Sequence, residues 1–179
     1  NVSCGSINAG TLNNYGTLTL TENSSVGNLS NNGTITIASD KKIFVSGSNV
    51  TLGNIEGTIE LNGSTDLGYL DLSKSTDGYD TIIVNKDDGK TVKFGNWQLS
   101  KIKNVVVVKG ITTFDTPIEI EKFSTSENAG NITFSKDTTI KNSCEILTTS
   151  SVSFGSDENS TTTFGSTDNP VNFKHTAGK

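Results

Sequence analysis

One histidine, two cysteines and no arginine narrow the chemistry open to this 179-residue chain. A Ser-His-Asp triad needs its three side chains brought together, with the serine on a glycine-rich turn. The sole histidine, His175, lies near the end of the sequence, and no Gly-x-Ser-x-Gly is present; Gly47-Ser48 and Gly63-Ser64 read as turns. Glycan cleavage needs two carboxyls about 5–9.5 Å apart across the scissile bond. Asp77 with Asp80, Asp87 with Asp88, and Glu56 or Glu60 with Asp71 are the acidic sets available. Asp77-Gly78 and Asp87-Asp88-Gly89 read more simply as turns, and Glu60 falls at an outward position of a strand. No catalytic residue is assigned, and the chain is expected not to be an enzyme.

Metal chemistry fares no better. Asn85-Lys86-Asp87-Asp88-Gly89 offers hard oxygen donors, but an EF-hand counted from Asn85 needs a glutamate at its twelfth position and finds Asn96. Histidines and cysteines do not cluster as zinc ligands. No metal and no cofactor is expected. The remaining recognition chemistry is aromatic. Tyr69, Tyr79 and Trp97 fall in the central third, and aromatic rings stack on sugars or anchor protein partners. These three are the expected surface contacts, with the loops at 74–80, 85–90 and 95–104 as contact points.

The elements that must position them announce themselves by repetition. Gly10-Thr11-Leu12, Gly16-Thr17-Leu18, Gly33-Thr34-Ile35 and Gly57-Thr58-Ile59 write glycine, threonine and an aliphatic four times. The last three continue in alternation, so Leu18/Leu20, Ile35/Ile37 and Ile59/Leu61 line one strand face while Thr and Glu line the other. A short strand cannot bury such a row alone, so copies are expected to stack. Spacing between units varies, which suits coils of about 17–24 residues with variable loops rather than a strict short repeat. Further strands are expected across the chain, including 69–72, 81–84, 91–94, 105–109, 118–121 and 131–134, punctuated by Asn- and Gly-rich turns. The fold expectation is an all-β, right-handed parallel β-helix of roughly 8–9 coils, about 40 Å long at the inter-strand spacing. The alternative is an antiparallel β-sandwich.

Composition agrees. Leu, Ile, Val and Phe supply 46 residues, above the range of disordered chains, while Ser, Thr and Asn supply 68, which fits a thin core in a large polar shell. All 14 basic residues are Lys against 19 acids, giving a net charge of −5. Nucleic-acid binding calls for a basic stripe and is disfavoured. No run approaches the 18 apolar residues of a membrane span, so this segment is not expected to insert directly. Cys4 and Cys144 fall several coils apart in a solenoid, beyond the reach of a disulfide, so both are expected free.

Residues 31–94 carry a more specific pattern. Asn31-Asn32-Gly33-Thr34-Ile35 leads to Ile43-Phe44-Val45-Ser46-Gly47, then Gly57-Thr58-Ile59-Glu60-Leu61-Asn62, then Asp80-Thr81-Ile82-Ile83-Val84. This resembles the passenger regions of bacterial autotransporters, the pertactin-like β-helices, and Phe94-Gly95-Asn96-Trp97 with Val105–Val108 looks like the next coils. The resemblance implies a single β-helix domain over 1–179, a piece of a longer exported protein, at the bacterial outer surface or outside the cell. It implies an adhesin-like rod contacting a host surface protein or glycan. Two other readings stand beside it: a carbohydrate-active β-helix, either enzyme or binding module, and a purely structural stalk.

Overall fold

The computed structural model describes residues 1–72, 75, 78–95, 98–165 and 172–175, the last four as backbone. Every strand pairing in it is parallel, and the chain winds as a right-handed β-solenoid of about 8 turns. No sandwich is formed, and among the described residues there is no helix, so none long and apolar enough to cross a membrane.

The coils follow in chain order. β1 (Val2–Cys4) and β2 (Asn8–Asn14) make the first, and β3 (Thr17–Leu20) and β4 (Ser24–Asn31) the second. β5 (Thr34–Ile37), β6 (Lys42–Val45) and β7 (Val50–Thr51) make the third; β8 (Asn54–Glu56), β9 (Thr58–Gly63) and β10 (Leu67–Asp71) the fourth. β11 (Tyr79–Lys86) and β12 (Thr91–Gly95) precede β13 (Ser100–Asp115), one sixteen-residue strand that serves two faces. β14 (Ile118–Thr125), β15 (Ala129–Phe134), β16 (Thr138–Ile146), β17 (Val152–Phe154), β18 (Thr162–Phe164) and β19 (Asn172–His175) complete the stack. One face holds β1, β3, β5 and β8; a second runs the length of the solenoid through β2, β4, β9, β11, β14 and β16; a third holds β10, β12, the end of β13, β15 and β17.

The expected inward rows are buried: Leu18, Leu20, Ile35, Ile37, Ile59 and Leu61 are all at or below 6% exposure. Register then stacks like on like. Val45, Leu61, Val84 and Val107 form one column. Phe94, Phe114, Phe134 and Phe154 form another, with centroids 4.8, 4.6 and 4.8 Å apart and planes within 7° of parallel. The spacing is that of neighbouring strands, so the backbone dictates the ring stack. A polar column lies inside too. Asn31 is fully buried; its Oδ1 accepts from Asn14 Nδ2 at 2.8 Å and from Gly33 N, while its Nδ2 donates to the Leu52 and Asn54 carbonyls.

Three strands were not legible by alternation: Val2–Cys4, Ser24–Asn31 and Asn54–Glu56. In β4 the inward residues are Ser24, Val26, Leu29 and Asn31, so the period of two breaks at Gly27-Asn28, where the strand kinks. The segment 100–104, expected to be part of a loop, is strand, because β13 runs unbroken along the second face. It then turns onto the third at Gly110, whose φ of +94° suits glycine.

Both cysteines are free, Cys144 buried and Cys4 half-buried. Burial pushes the Cys144 thiol up to about 11, which starves it of thiolate. Native protein treated with iodoacetamide at pH 8 is therefore expected to gain one adduct, at Cys4, and denatured protein two. Peptide mapping by mass spectrometry reads the difference, and labelling of native Cys144 at the Cys4 rate would refute it.

Candidate contact surface

The outer polar shell is knitted between coils. Lys42 pairs with Glu60 at 3.0 Å, Lys93 with Asp115 at 2.9 Å, Lys103 with Asp80 at 2.6 Å, Lys141 with Glu119 at 2.6 Å, and Lys136 with Asp157. Each joins residues 18 to 23 apart in sequence, one coil from the next. Exposed pairs of this kind contribute little stability singly, but they hold outward side chains in a fixed array. Glu60, outward on its strand, is covered in this way: Lys42 and Asn85 Nδ2 close over its carboxylate, leaving it buried.

Against this shell the three aromatic candidates separate. In β10, Leu67 is opposite Val92 and Leu70 opposite Phe94, so Gly68 and Tyr69 together face Lys93 alone. Such a bulge re-aims a side chain. Here it turns Tyr69 outward, 56% exposed, with its ring against Gly95, where an added Cβ would fall 2.2 Å from Cε2. Glycine is the residue that lets the ring lie there. The Lys93–Asp115 pair lies on the same face, Lys93 opposite the bulge and Asp115 beside Gly95.

Tyr79 does not belong to the surface. It is 3% exposed, its hydroxyl donates to the Leu72 carbonyl, and burial raises its pKa. It heads an interior column with Ile102, Ile120 and Ile140. Its expected role as a surface contact is corrected accordingly: Tyr79 and Ile82 are both buried with two half-buried residues between them, so the alternation breaks after Tyr79 and its ring faces the interior. Trp97 lies outside the described residues, as do Lys74 and Asp77 of the 74–80 loop.

The acidic candidates are likewise sorted by the coils. Asp80 and Glu56 border an open cleft of about 300 Å3 with Ile55, Gly78, Tyr79 and Lys103. The Lys103 ammonium, hydrogen-bonded to Asp80, holds its carboxyl below the usual range, and the Gly57 N–H adds to this at 2.8 Å. Glu56 accepts from Thr36 Oγ1. Asp71 sits on the third face, away from Glu60 on the second. Asp88 pairs with Lys109. The 85–90 loop is pinned: Asp66 accepts from both the N–H and the hydroxyl of Thr91, and these bonds lower its carboxyl pKa. Among the described residues no cluster of three or more His, Cys, Asp or Glu is placed to hold a metal ion.

Sequence reasoning missed Lys86, a fully buried charged side chain. Its Nζ donates to the Asn62 carbonyl at 2.6 Å, and burial lowers its pKa. The signal was available in strand parity: Ile82, Val84 and Lys86 share one face. The charged form is penalised in the folded state, so the penalty is full below the folded pKa and lifts as pH rises toward the ordinary lysine range. Stability of the native chain is expected to climb with pH in that window. Lys86→Met removes the buried charge and the slope, and is expected to gain roughly 1 kcal/mol at pH 7. Urea melts of both proteins from pH 7 to 10 check this; parallel curves would refute it.

A wider open cleft of about 580 Å3 lies between Pro117, Lys136, Asp137, Asp157, Glu158 and Ser160. Asp137 there is committed to the Thr161 N–H and Asp157 to Lys136. No known family, curated protein or solved structure matches the chain.

Proposed function

We propose that the chain is the rod of an exported, adhesin-like surface protein, binding a host surface protein or glycan through its outer faces without catalysis. The observation that carries this reading is Tyr69: an aromatic ring lodged against a glycine backbone at a bulge, with more than half its surface open, on a face where Lys93 and Asp115 are paired. A ring so held loses little conformational freedom on contact, which favours binding over chemistry. The resemblance of residues 31–94 to autotransporter passengers supports the location at the bacterial exterior.

Screening the purified chain on glycan and matrix-protein arrays tests the proposal. At least one ligand is expected, with Tyr69→Ala weakening it roughly tenfold and Tyr69→Phe retaining it. Binding to neither array leaves the stalk reading in its place. The glycan-cleaving reading would draw on Asp80 and Glu56, but a general acid must keep its proton near neutral pH, and Lys103 holds Asp80 in the opposite sense. Turnover of any glycan that falls on Asp80→Asn substitution would favour that reading instead.

A further inference from the structure

We propose that the bend of the second face around Lys122 is a binding site for a carboxylate-bearing sugar residue of a glycan. The proposal rests on the reading of the rod as a binding surface, and it adds a site away from Tyr69.

The bend recurs in four successive coils, where inward alternation breaks between two buried residues. Asp80-Thr81 falls between Tyr79 and Ile82, Lys103-Asn104 between Ile102 and Val105, and Glu121-Lys122 between Ile120 and Phe123. In the last coil three residues, Lys141-Asn142-Ser143, fall between Ile140 and Cys144, and the register shifts there. Such a bulge re-aims side chains. Thr81 is opposite Asn104, Asn104 opposite Lys122, and Lys122 opposite Ser143, so the bend carries one continuous column. With Val106 and Ser124 of the neighbouring column these four border an open cleft of about 520 Å3. Small-ligand sites occupy about 300–1,000 Å3.

The charge in this cleft is unlike the rest of the shell. Lys74, Lys174 and Lys179 aside, eleven lysine side chains are described, and eight of them pair with a carboxylate. Lys86 is buried on a carbonyl. Only Lys101 and Lys122 remain, among the described residues, without an ion pair, and Lys101 has Glu119 opposite it in register. Lys122 has neutral neighbours on both sides, Asn104 in the coil before and Ser143 in the coil after. Glu121, next to it in sequence, borders the small cleft of Lys101 and Lys103 instead. Glu145 borders the Lys122 cleft at its last coil, and its carboxylate is itself engaged. An exposed ammonium is thus set into a cleft with no carboxylate bound to it.

The lining selects among anions. Phosphate and sulfate groups draw on several cations or on backbone N–H nests, whereas this cleft offers one ammonium, enough for one carboxylate. A run of acidic peptide would need a cation for each side chain. Around Lys122 the groups are hydroxyls and an amide: Asn104 Nδ2 donates to Thr81 Oγ1, leaving its Oδ1 to accept, and the Ser124 and Ser143 hydroxyls make no hydrogen bond among the described residues. Groups that both donate and accept match sugar hydroxyls. Val106, half-buried and facing outward, gives the C–H face of a pyranose an apolar seat.

The test titrates the full chain by calorimetry with 3′-sialyllactose and with trigalacturonate, two sources of a sugar carboxylate, and with lactose as the neutral control. Saturable one-to-one binding of at least one acidic probe is expected, and none of lactose. Lys122→Gln should weaken it roughly tenfold, the worth of a hydrogen bond to a charged group, with the melting temperature unchanged because no ion pair is lost. Lys101→Gln makes the same change in net charge and should leave the affinity within about twofold. Amide chemical shifts should move at Asn104, Lys122 and Ser143. No binding of either acidic probe, equal binding of lactose, or equal losses in the two glutamine variants overturns the site. If array ligands still depend on Tyr69 while Lys122→Gln changes nothing, this site falls and the surface-binding reading stands. If acidic sugars bind at Lys122 while no array ligand depends on Tyr69, this site stands and Tyr69 loses its part in binding.

Discussion

Phe114→Ala is expected to lower the melting temperature by about 10 °C. The ring is fully buried and sandwiched between Phe94 at 4.8 Å and Phe134 at 4.6 Å. Truncation removes the transfer free energy of the ring and leaves a cavity that two parallel rings, pinned by strands on either side, cannot collapse to fill. Core Phe→Ala changes cost about 3–5 kcal/mol, and each kcal/mol moves the midpoint by about 2–4 °C in a chain this size. Phe154, at the end of the same column and only partly buried, supplies the control: Phe154→Ala should cost less than half as much. Thermal melts followed by circular dichroism decide the matter, and equal shifts for the two variants would mean that the column does not act as a stacked core.

Asn31→Leu should be as damaging despite the same side-chain branching and greater hydrophobicity. Asn31 satisfies four partners at once: Asn14 Nδ2, Gly33 N, and the carbonyls of Leu52 and Asn54. Leucine fills the space but strands these groups where water does not reach, and each unsatisfied buried group costs about 1–3 kcal/mol. A loss of at least 3 kcal/mol is expected, together with faster amide exchange at Gly33. Asn14→Leu should cost less, because Asn31 Oδ1 keeps the Gly33 N–H as a donor and the Gly16 and Thr34 carbonyls that Asn14 served are only part-buried. Urea denaturation and hydrogen exchange check both, and a neutral Asn31→Leu would mean the interior tolerates an apolar column there.

Both variants probe columns that the sequence discloses only in part. Repeated Gly-Thr-aliphatic units gave away parallel stacking and the inward rows at Leu18, Ile35 and Ile59, because alternation is a local property that survives in any register. Ser24–Asn31 escaped notice because its kink at Gly27 breaks the period, although the Gly-x-Leu-x-Asn-x-Gly spacing shared with residues 10–16 would have disclosed it. Tyr79 was misplaced for a related reason, since its side depends on how β11 bends after it. Tyr69 is exposed, yet nothing in its own neighbourhood predicted the seat on Gly95, a residue one coil away.

The amino-acid sequence by itself determined the repeating strand pattern, the thin aliphatic filling and the free cysteines. These follow from residue type and short-range spacing. Only the tertiary structure decided which side chains meet between coils: Lys103 with Asp80, Lys42 with Glu60, phenylalanine on phenylalanine, Tyr69 on Gly95 and the Lys86 ammonium on the Asn62 carbonyl. The physical reason is that the offset between paired strands varies from 16 to 29 residues, so cross-coil partners have no constant offset. The register that joins them is set by loops whose lengths acquire meaning only once the coils are stacked.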